Sequence, residues 1–200
     1  MIDVIDYGFG NLGSVIKALE YIGYSCRVID NPKEVHKASG VILPGVGAFG
    51  AAAEALRRTG LDGAVKDYID SGAPFLGICL GMQLLFEKSE ESGDTTKGLS
   101  ILPGVVRRFP SESGLKIPQI GWNCFESAPD PVFRKGDYVY FVHSYYCAPE
   151  CADDIAATTR YGVEYACAVS RNNVLAMQFH PEKSGEVGLS ILNRWARRTR

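Results

Sequence analysis

Two hundred residues, 46% hydrophobic and 22% charged, suffice for one globular domain with a sizeable core, taken as residues 1–200. A formal net charge of −2 argues against broad attraction to nucleic acid, and no stretch approaches the roughly 18 uninterrupted apolar residues of a membrane span. Residues 1–6 carry no basic leader, so a cytosolic chain is expected. The six cysteines contain no C-x-x-C pair, which points away from a zinc cluster or a thioredoxin-like motif. Cys147 and Cys151 are best read as free thiols in a reducing compartment. The cluster Arg194, Arg197, Arg198 and Arg200 reads as a solvated terminal helix face.

In chain order, the first half alternates strand and helix. Residues 1–6 read as a strand, 12–22 as a helix, 25–30 as a strand and 41–43 as a short buried strand. Helices follow at 51–58 and 61–71, then a strand at 75–78. This alternation predicts an α/β fold: a mostly parallel open sheet with helices on both faces. Residues 80–87 read as a further helix, and 89–97 as a polar loop. Beyond them, 105–109, 120–125, 138–142, 155–159, 165–169 and 174–179 are strand-like with short connections, which predicts antiparallel additions to the sheet. A loop at 111–114 and a closing helix at 186–197 complete the pattern.

The run Gly77-Ile78-Cys79-Leu80-Gly81 places a cysteine between an apolar strand and a helix, with a glycine two residues away on each side. That is the geometry of a nucleophile elbow, and a helix N-terminus there favours a thiolate. A single cysteine is more often a small buried hydrophobe, so a partner base is required. His180-Pro181-Glu182 supplies one. The strand at 174–179 delivers His180 at its carboxyl end, where active sites of open α/β sheets gather. In extended backbone the side chains of His180 and Glu182 point the same way, with Pro181 fixing the torsion between them. The carboxylate can then orient the imidazole while the other ring nitrogen faces a thiol. The amide of Leu80, next after the nucleophile, is placed as an oxyanion donor. Gln83 lies one helical turn past Cys79, towards the same pocket.

A rival reading starts from Gly8-Phe9-Gly10-Asn11-Leu12-Gly13. It fits G-x-G-x-x-G, follows a strand, opens a helix and precedes Asp30 at the next strand's end, as a dinucleotide-binding oxidoreductase fold requires. Against it, such a unit would take most of the chain and leave the cysteine elbow and His-Pro-Glu without a role. The plain alternative is that these glycines only permit a tight strand-to-helix turn.

Taken together, Gly77-x-Cys79-x-Gly81 and His180-Pro181-Glu182 resemble class I glutamine amidotransferase domains. Further motifs are similar to those of the glutaminase subunits of imidazole glycerol phosphate synthase: the run from Asp6 to Leu12, Pro44-Gly45-Val46-Gly47-Ala48-Phe49, the run from Cys79 to Phe86, Ile120-Gly121-Trp122-Asn123, Phe141-Val142-His143-Ser144-Tyr145, and His180 to Ser184. These span nearly the whole chain in order. The resemblance implies a flavodoxin-like sheet and a Cys79, His180 and Glu182 triad that hydrolyses L-glutamine to glutamate and ammonia through a thioester. It implies Val46, flanked by glycines, as the second oxyanion donor beside Leu80. It places Gly47, Gln83, Glu91, Ser144 and Tyr145 on the substrate, although Glu91 could equally be a solvated loop acid. It implies no metal or organic cofactor. The partner implied is a (β/α)₈ cyclase subunit in a heterodimer, with Trp122, Asn123, Tyr140 and Lys183 at the interface; for Trp122 a core position competes. In this family the Asp-Tyr-Gly-x-Gly-Asn segment recurs without a dinucleotide. A cysteine peptidase or stress protein with an elbow cysteine is a third reading, but it gives no reason for the Trp122-Asn123 and Lys183-Ser184 motifs.

Overall fold

Strands β1 (Ile2–Ile5), β2 (Cys26–Ile29), β3 (Gly40–Gly45) and β4 (Phe75–Cys79) pair in parallel in the order β2-β1-β3-β4. The computed structural model describes residues 1–92, 96–111 and 114–200. Every residue of β1, β3 and β4 is buried, as expected of strands covered on both faces. Helices α1 (Leu12–Tyr21), α2 (Phe49–Thr59) and α3 (Leu61–Asp70) connect them. Alternate strand residues feed two apolar layers. Val41, Leu43 and Phe75 pack with α2 and α3, while Ile42, Leu76 and Ile78 pack with α1 and the C-terminal helix α5 (Gly185–Ala196). Burying a side chain such as Ile191 or Leu192 in that second layer stabilises the fold by about 1.5–3 kcal/mol.

The second half is α4 (Leu80–Gln83), β5 (Lys88–Ser89), β6 (Gly104–Arg108), β7 (Gln119–Cys124), β8 (Tyr138–His143), β9 (Tyr145–Pro149), β10 (Ile155–Tyr161), β11 (Val163–Arg171) and β12 (Val174–Met177). The main sheet continues from β4 as β12-β11-β9-β6-β5, and β10 pairs with β11. The structure corrects the sequence reading at several points. β12 is antiparallel to β11 but parallel to β4, with Ala176 opposite Gly77, so it belongs to the parallel core rather than to the antiparallel additions. β7 and β8 do not join the main sheet; they form a separate two-stranded ribbon. β9 was not anticipated, because it begins only one residue after β8 and ends in a proline.

The expected helix 80–87 ends after Gln83. Leu84, Leu85 and Phe86 are all fully buried, and every residue of α4 is buried too, so burial does not set where the helix ends. Their backbone instead pairs with the returning chain, Leu99 donating to the Leu84 carbonyl and Ile101 to that of Leu85. Of the loops read at 89–97 and 111–114, residues 93–95 and 112–113 lie outside the described residues, and Ser89 belongs to β5. Among the described residues no helix is long and apolar enough to cross a membrane, and all six cysteines are free.

Candidate active site

Cys79 ends β4 with φ 54° and ψ −110°, a backbone state that costs a non-glycine residue on the order of 1–3 kcal/mol. The neighbouring strands impose it. A Cβ on Gly81 would lie 1.8 Å from the Leu43 carbonyl oxygen in β3, and one on Gly77 would lie 3.0 Å from the Ala176 Cβ in β12. The glycines either side of the cysteine are therefore required by the approach of the elbow to both flanking strands. Leu80 opens α4, where N–H groups have no intrahelical acceptor.

His180 leaves β12 in extended conformation, and Pro181–Lys183 then forms a 3₁₀ turn rather than the extended run read from the sequence. The turn still brings the two side chains together: His180 Nδ1 lies 2.8 Å from Glu182 Oε1. A carboxylate only accepts, so Nδ1 carries the proton. The His180 amide donates to the Tyr140 carbonyl at 3.0 Å. Ser184 Oγ donates to the His180 carbonyl at 2.6 Å and accepts from the Tyr140 amide at 2.9 Å, clamping the turn to β8. Among the described residues His180 Nε2 is buried without a hydrogen-bond partner. Burial opposes protonation of this ring, but the Cys79 and Glu182 side chains outweigh it and raise its pKa to about 10. The arrangement is a base held by a carboxylate, with its second nitrogen unsatisfied beside a thiol.

Cys79, Leu80 and His180 line a cleft of about 370 Å³ together with Val46, Gly47, Gln83, Glu91, Ser144 and Tyr145. Every residue read from the sequence as catalytic, oxyanion or substrate-binding lines this cleft except Glu182, which sits behind His180. The Val46 amide donates to the Phe9 carbonyl at 3.0 Å, turned into the β1–α1 connection. Glu91 is an exposed loop residue whose Oε2 accepts from the Phe49 amide at 2.7 Å, capping α2 from 42 residues away. Gln83 donates through Nε2 to the Tyr145 carbonyl at 3.2 Å and to Gln178 Oε1 at 3.0 Å; its Oε1 is the atom left for a ligand.

Sequence reasoning missed two polar residues here. His143 is buried; its Nδ1 lies 2.8 Å from the Tyr145 carbonyl and its Nε2 3.1 Å from Tyr165 Oη. Burial pushes its pKa down to about 4, so near neutrality it is uncharged, with the proton on Nδ1 because a carbonyl only accepts. Gln178 is wholly buried, and its Nε2 lies 3.6 Å from Cys79 Sγ. The available signal was a carboxamide directly after the apolar run Val174–Met177.

The four residues read as a partner interface do not share one face. Trp122 and Tyr140 are direct cross-strand neighbours on the ribbon, their rings 6.0 Å apart and edge-on. With Ile120 and Tyr138 they form an apolar face on which Trp122 is 56% exposed, so Trp122 is not a core residue. Lys183 is exposed on the 3₁₀ turn that is clamped to β8. Asn123 lies on the ribbon's opposite face, where Nδ2 donates to the Arg160 carbonyl at 2.9 Å and Oδ1 accepts from the Cys124 amide.

The glycine-rich segment read as a possible dinucleotide site forms the turn into α1. Gly8 has φ +88°, and a Cβ on Gly10 would press on Leu12 and Pro44. The cavity between this turn and β3, lined by Asn11, Pro44 and Gly45, is about 10 Å³, far below the volume of a nucleotide site.

An open sheet with a cysteine elbow and a buried His–Glu pair at its carboxyl edge defines a class I glutamine amidotransferase, and the family model "Glutamine amidotransferase class-I" matches residues 3–197. A solved structure described as glutamine amidotransferase superposes with a TM-score of 0.75 over 99% of this chain and 98% of that one, at 17% identity, a likeness of fold. Closer relatives narrow the class. The chain is 49% identical to the imidazole glycerol phosphate synthase subunit HisH of Chlorobaculum tepidum, over 98% of this chain and 99% of that protein. It is 46% identical to the chloroplastic imidazole glycerol phosphate synthase hisHF of Arabidopsis thaliana, over 98% of this chain and 34% of that protein. The chain belongs to the class I glutamine amidotransferases and, within them, to the HisH subunits of imidazole glycerol phosphate synthase.

Proposed function

We propose that Cys79 is the nucleophile of glutamine hydrolysis, with His180 as its base and Glu182 as the orienter of the base. With its thiol proton already transferred to His180 Nε2, the Cys79 thiolate attacks the side-chain amide carbon of L-glutamine. His180 returns that proton to the amide nitrogen, the C–N bond breaks, and ammonia leaves a glutamyl thioester. Water, deprotonated by His180, adds to the thioester carbon; the S–C bond breaks, releasing glutamate and restoring the thiol. Glu182 holds the imidazole and stabilises its cation in both halves. The observation that carries this reading is the orphaned, buried Nε2 of His180, whose opposite nitrogen is fixed 2.8 Å from Glu182.

The developing oxyanion is met by the Leu80 amide and, after the Val46 peptide turns, by that of Val46. Gly47, the Oε1 of Gln83, Glu91, Ser144 and Tyr145 hold the substrate's amide, ammonium and carboxylate groups, the Glu91 carboxylate suiting the ammonium. Cleavage needs no metal or organic cofactor.

The ammonia goes to a (β/α)₈ cyclase partner in a heterodimer, where it serves formation of imidazole glycerol phosphate and an aminoimidazole carboxamide ribotide. Support comes from the exposed apolar ribbon face of Ile120, Trp122, Tyr138 and Tyr140, and from the hisHF protein, of which the matched region is only 34%. Trp122, Tyr140 and Lys183 would dock the partner, with Asn123 bracing the ribbon from behind. Six free cysteines suit a reducing cytoplasm.

The test is Cys79→Ala in the assembled enzyme. Glutamine-dependent synthesis should vanish while ammonia-dependent synthesis persists; near-normal glutamine hydrolysis by the variant would overturn the assignment.

A further inference from the structure

α4 has only four residues, too few to sum the dipole of a long helix, so ionisation of Cys79 depends on donors close to the sulfur. The carboxamide of Gln178 is such a donor, with Nε2 3.6 Å from Sγ. We propose that Gln178 is a positioning residue for the nucleophile, its side-chain N–H holding the Cys79 sulfur as the thiolate.

The two ends of a carboxamide have the same shape, so which end faces the sulfur must follow from the neighbours. Here a backbone group fixes it. The Tyr145 carbonyl can only accept, and it accepts from Gln83 Nε2 at 3.2 Å. Gln83 therefore cannot be reversed, and the same nitrogen donates to Gln178 Oε1 at 3.0 Å. Reversing Gln178 alone would set one NH₂ group against another. Its oxygen must face Gln83, and its nitrogen must face Cys79. The Tyr145 carbonyl is itself held by β9 and by His143 Nδ1 at 2.8 Å.

The chemistry of the acceptor then decides the preferred state of the sulfur. Gln178 is fully buried and Gln83 nearly so, and a buried N–H without a good acceptor is costly. A thiol sulfur is a weak acceptor, whereas hydrogen bonds to an ionised group are roughly twice as strong as neutral ones. The polar line from Tyr145 through Gln83 and Gln178 thus ends in a donor satisfied best by the thiolate. It favours the sulfur both as attacking group and as leaving group when water cleaves the thioester.

The proposal rests on Cys79 being the nucleophile, and alkylation of the full chain by iodoacetamide across pH tests it without glutamine. The ionisable groups around Cys79 are His180 with Glu182 after β12, Tyr7 after β1, Cys147 in β9, and Glu91, His143 and Tyr145 lining the same cleft; Gln178→Met leaves all of them in place. The midpoint of Cys79 reactivity should rise by about one to two pH units, a loss of roughly ten- to hundredfold in thiolate at neutral pH. The kcat for glutamine should fall by a similar factor while KM moves by less than about threefold. An unmoved midpoint overturns the proposal whatever happens to kcat, because a packing defect alone would not change ionisation. If Gln178→Met does not fold, the native chain labelled with ¹⁵N-glutamine replaces it. The Gln178 side-chain signal should shift through the same midpoint as Cys79 reactivity and lose that response in Cys79→Ala; a signal that ignores the transition overturns the proposal. A native Cys79 reacting like an ordinary thiol would overturn the nucleophile assignment itself, and this proposal with it.

Discussion

The Val46 amide is hydrogen-bonded to the Phe9 carbonyl at 3.0 Å, so the amide proposed as the second oxyanion donor is turned away from Cys79. The peptide sits between Gly45, where a Cβ would meet Tyr7 Oη at 2.4 Å, and Gly47 at φ +103°. Glycine on both sides makes rotation of this peptide sterically cheap. A ligand in the partner can drive the rotation only by binding the rotated arrangement more tightly, and each tenfold shift needs about 1.4 kcal/mol of differential affinity. Glutamine turnover should therefore be low in the free chain and rise by orders of magnitude in the complex carrying its nucleotide. Measured rates that are equal for the free chain, the complex and the loaded complex would reject the coupling. Gly45→Ala, which forces a methyl against Tyr7, should lose about 100- to 1000-fold in stimulated turnover.

His180 and Glu182 should not be equivalent. Removing His180 deletes the proton carrier, whereas Glu182→Gln leaves the ring present without its charged orienter. Glu182→Gln should be the milder lesion, read in single-turnover formation of the thioester. Equal or reversed severity would count against the assigned roles.

The same pair predicts a pH dependence of stability. The pKa of His180 is raised to about 10 in the folded chain, above the unfolded value of about 6.5. Its proton-linked stabilisation is therefore complete below about pH 6.5 and is lost as pH climbs through about 10. Urea unfolding of the wild type should weaken across that window relative to His180→Asn; parallel curves would contradict it. His143 has the opposite sign. With a folded pKa of about 4, it destabilises the fold as pH falls from about 6.5 towards 4, because only the unfolded chain takes up the proton. His143→Gln should flatten that acid limb.

The cysteine elbow and the His–Glu pair were each legible as motifs because each is local. Gly77 and Gly81 announce an elbow by spacing alone, and the structure gives the reason in the 1.8 Å and 3.0 Å encounters their side chains would create. The parallel pairing among β1 to β4, though not their order, was legible from buried runs alternating with helices. What could not be read depends on long-range pairing. Nothing in the pattern of β7 says that it leaves the main sheet to pair only with β8, since an alternating strand looks the same in a ribbon and in a sheet. Nor does local sequence tell that Leu84 and Leu85 surrender their helix to the returning segment at Leu99 to Leu102. Gln178 and His143 were hidden for the same reason, their partners Gln83 and Tyr165 lying 95 and 22 residues away.

The ribbon offers the last test, because its two faces separate docking from folding. On one face Trp122 stands across from Tyr140 and is 56% exposed, so its removal should change the stability of the free chain by no more than about 0.5 kcal/mol. An exposed aromatic at the centre of an apolar patch is, however, the kind of side chain that anchors an interface, where truncation costs about 2–4 kcal/mol, or roughly 30- to 1000-fold in Kd. Asn123, on the other face, donates to the Arg160 carbonyl and so ties the ribbon to β10. Its substitution should behave in reverse, loosening the fold while leaving affinity nearly unchanged. Titration calorimetry with the cyclase subunit, paired with thermal unfolding of the free chain, measures both for Trp122→Ala and Asn123→Ala. Trp122→Ala binding as tightly as the wild type would move the partner off this face.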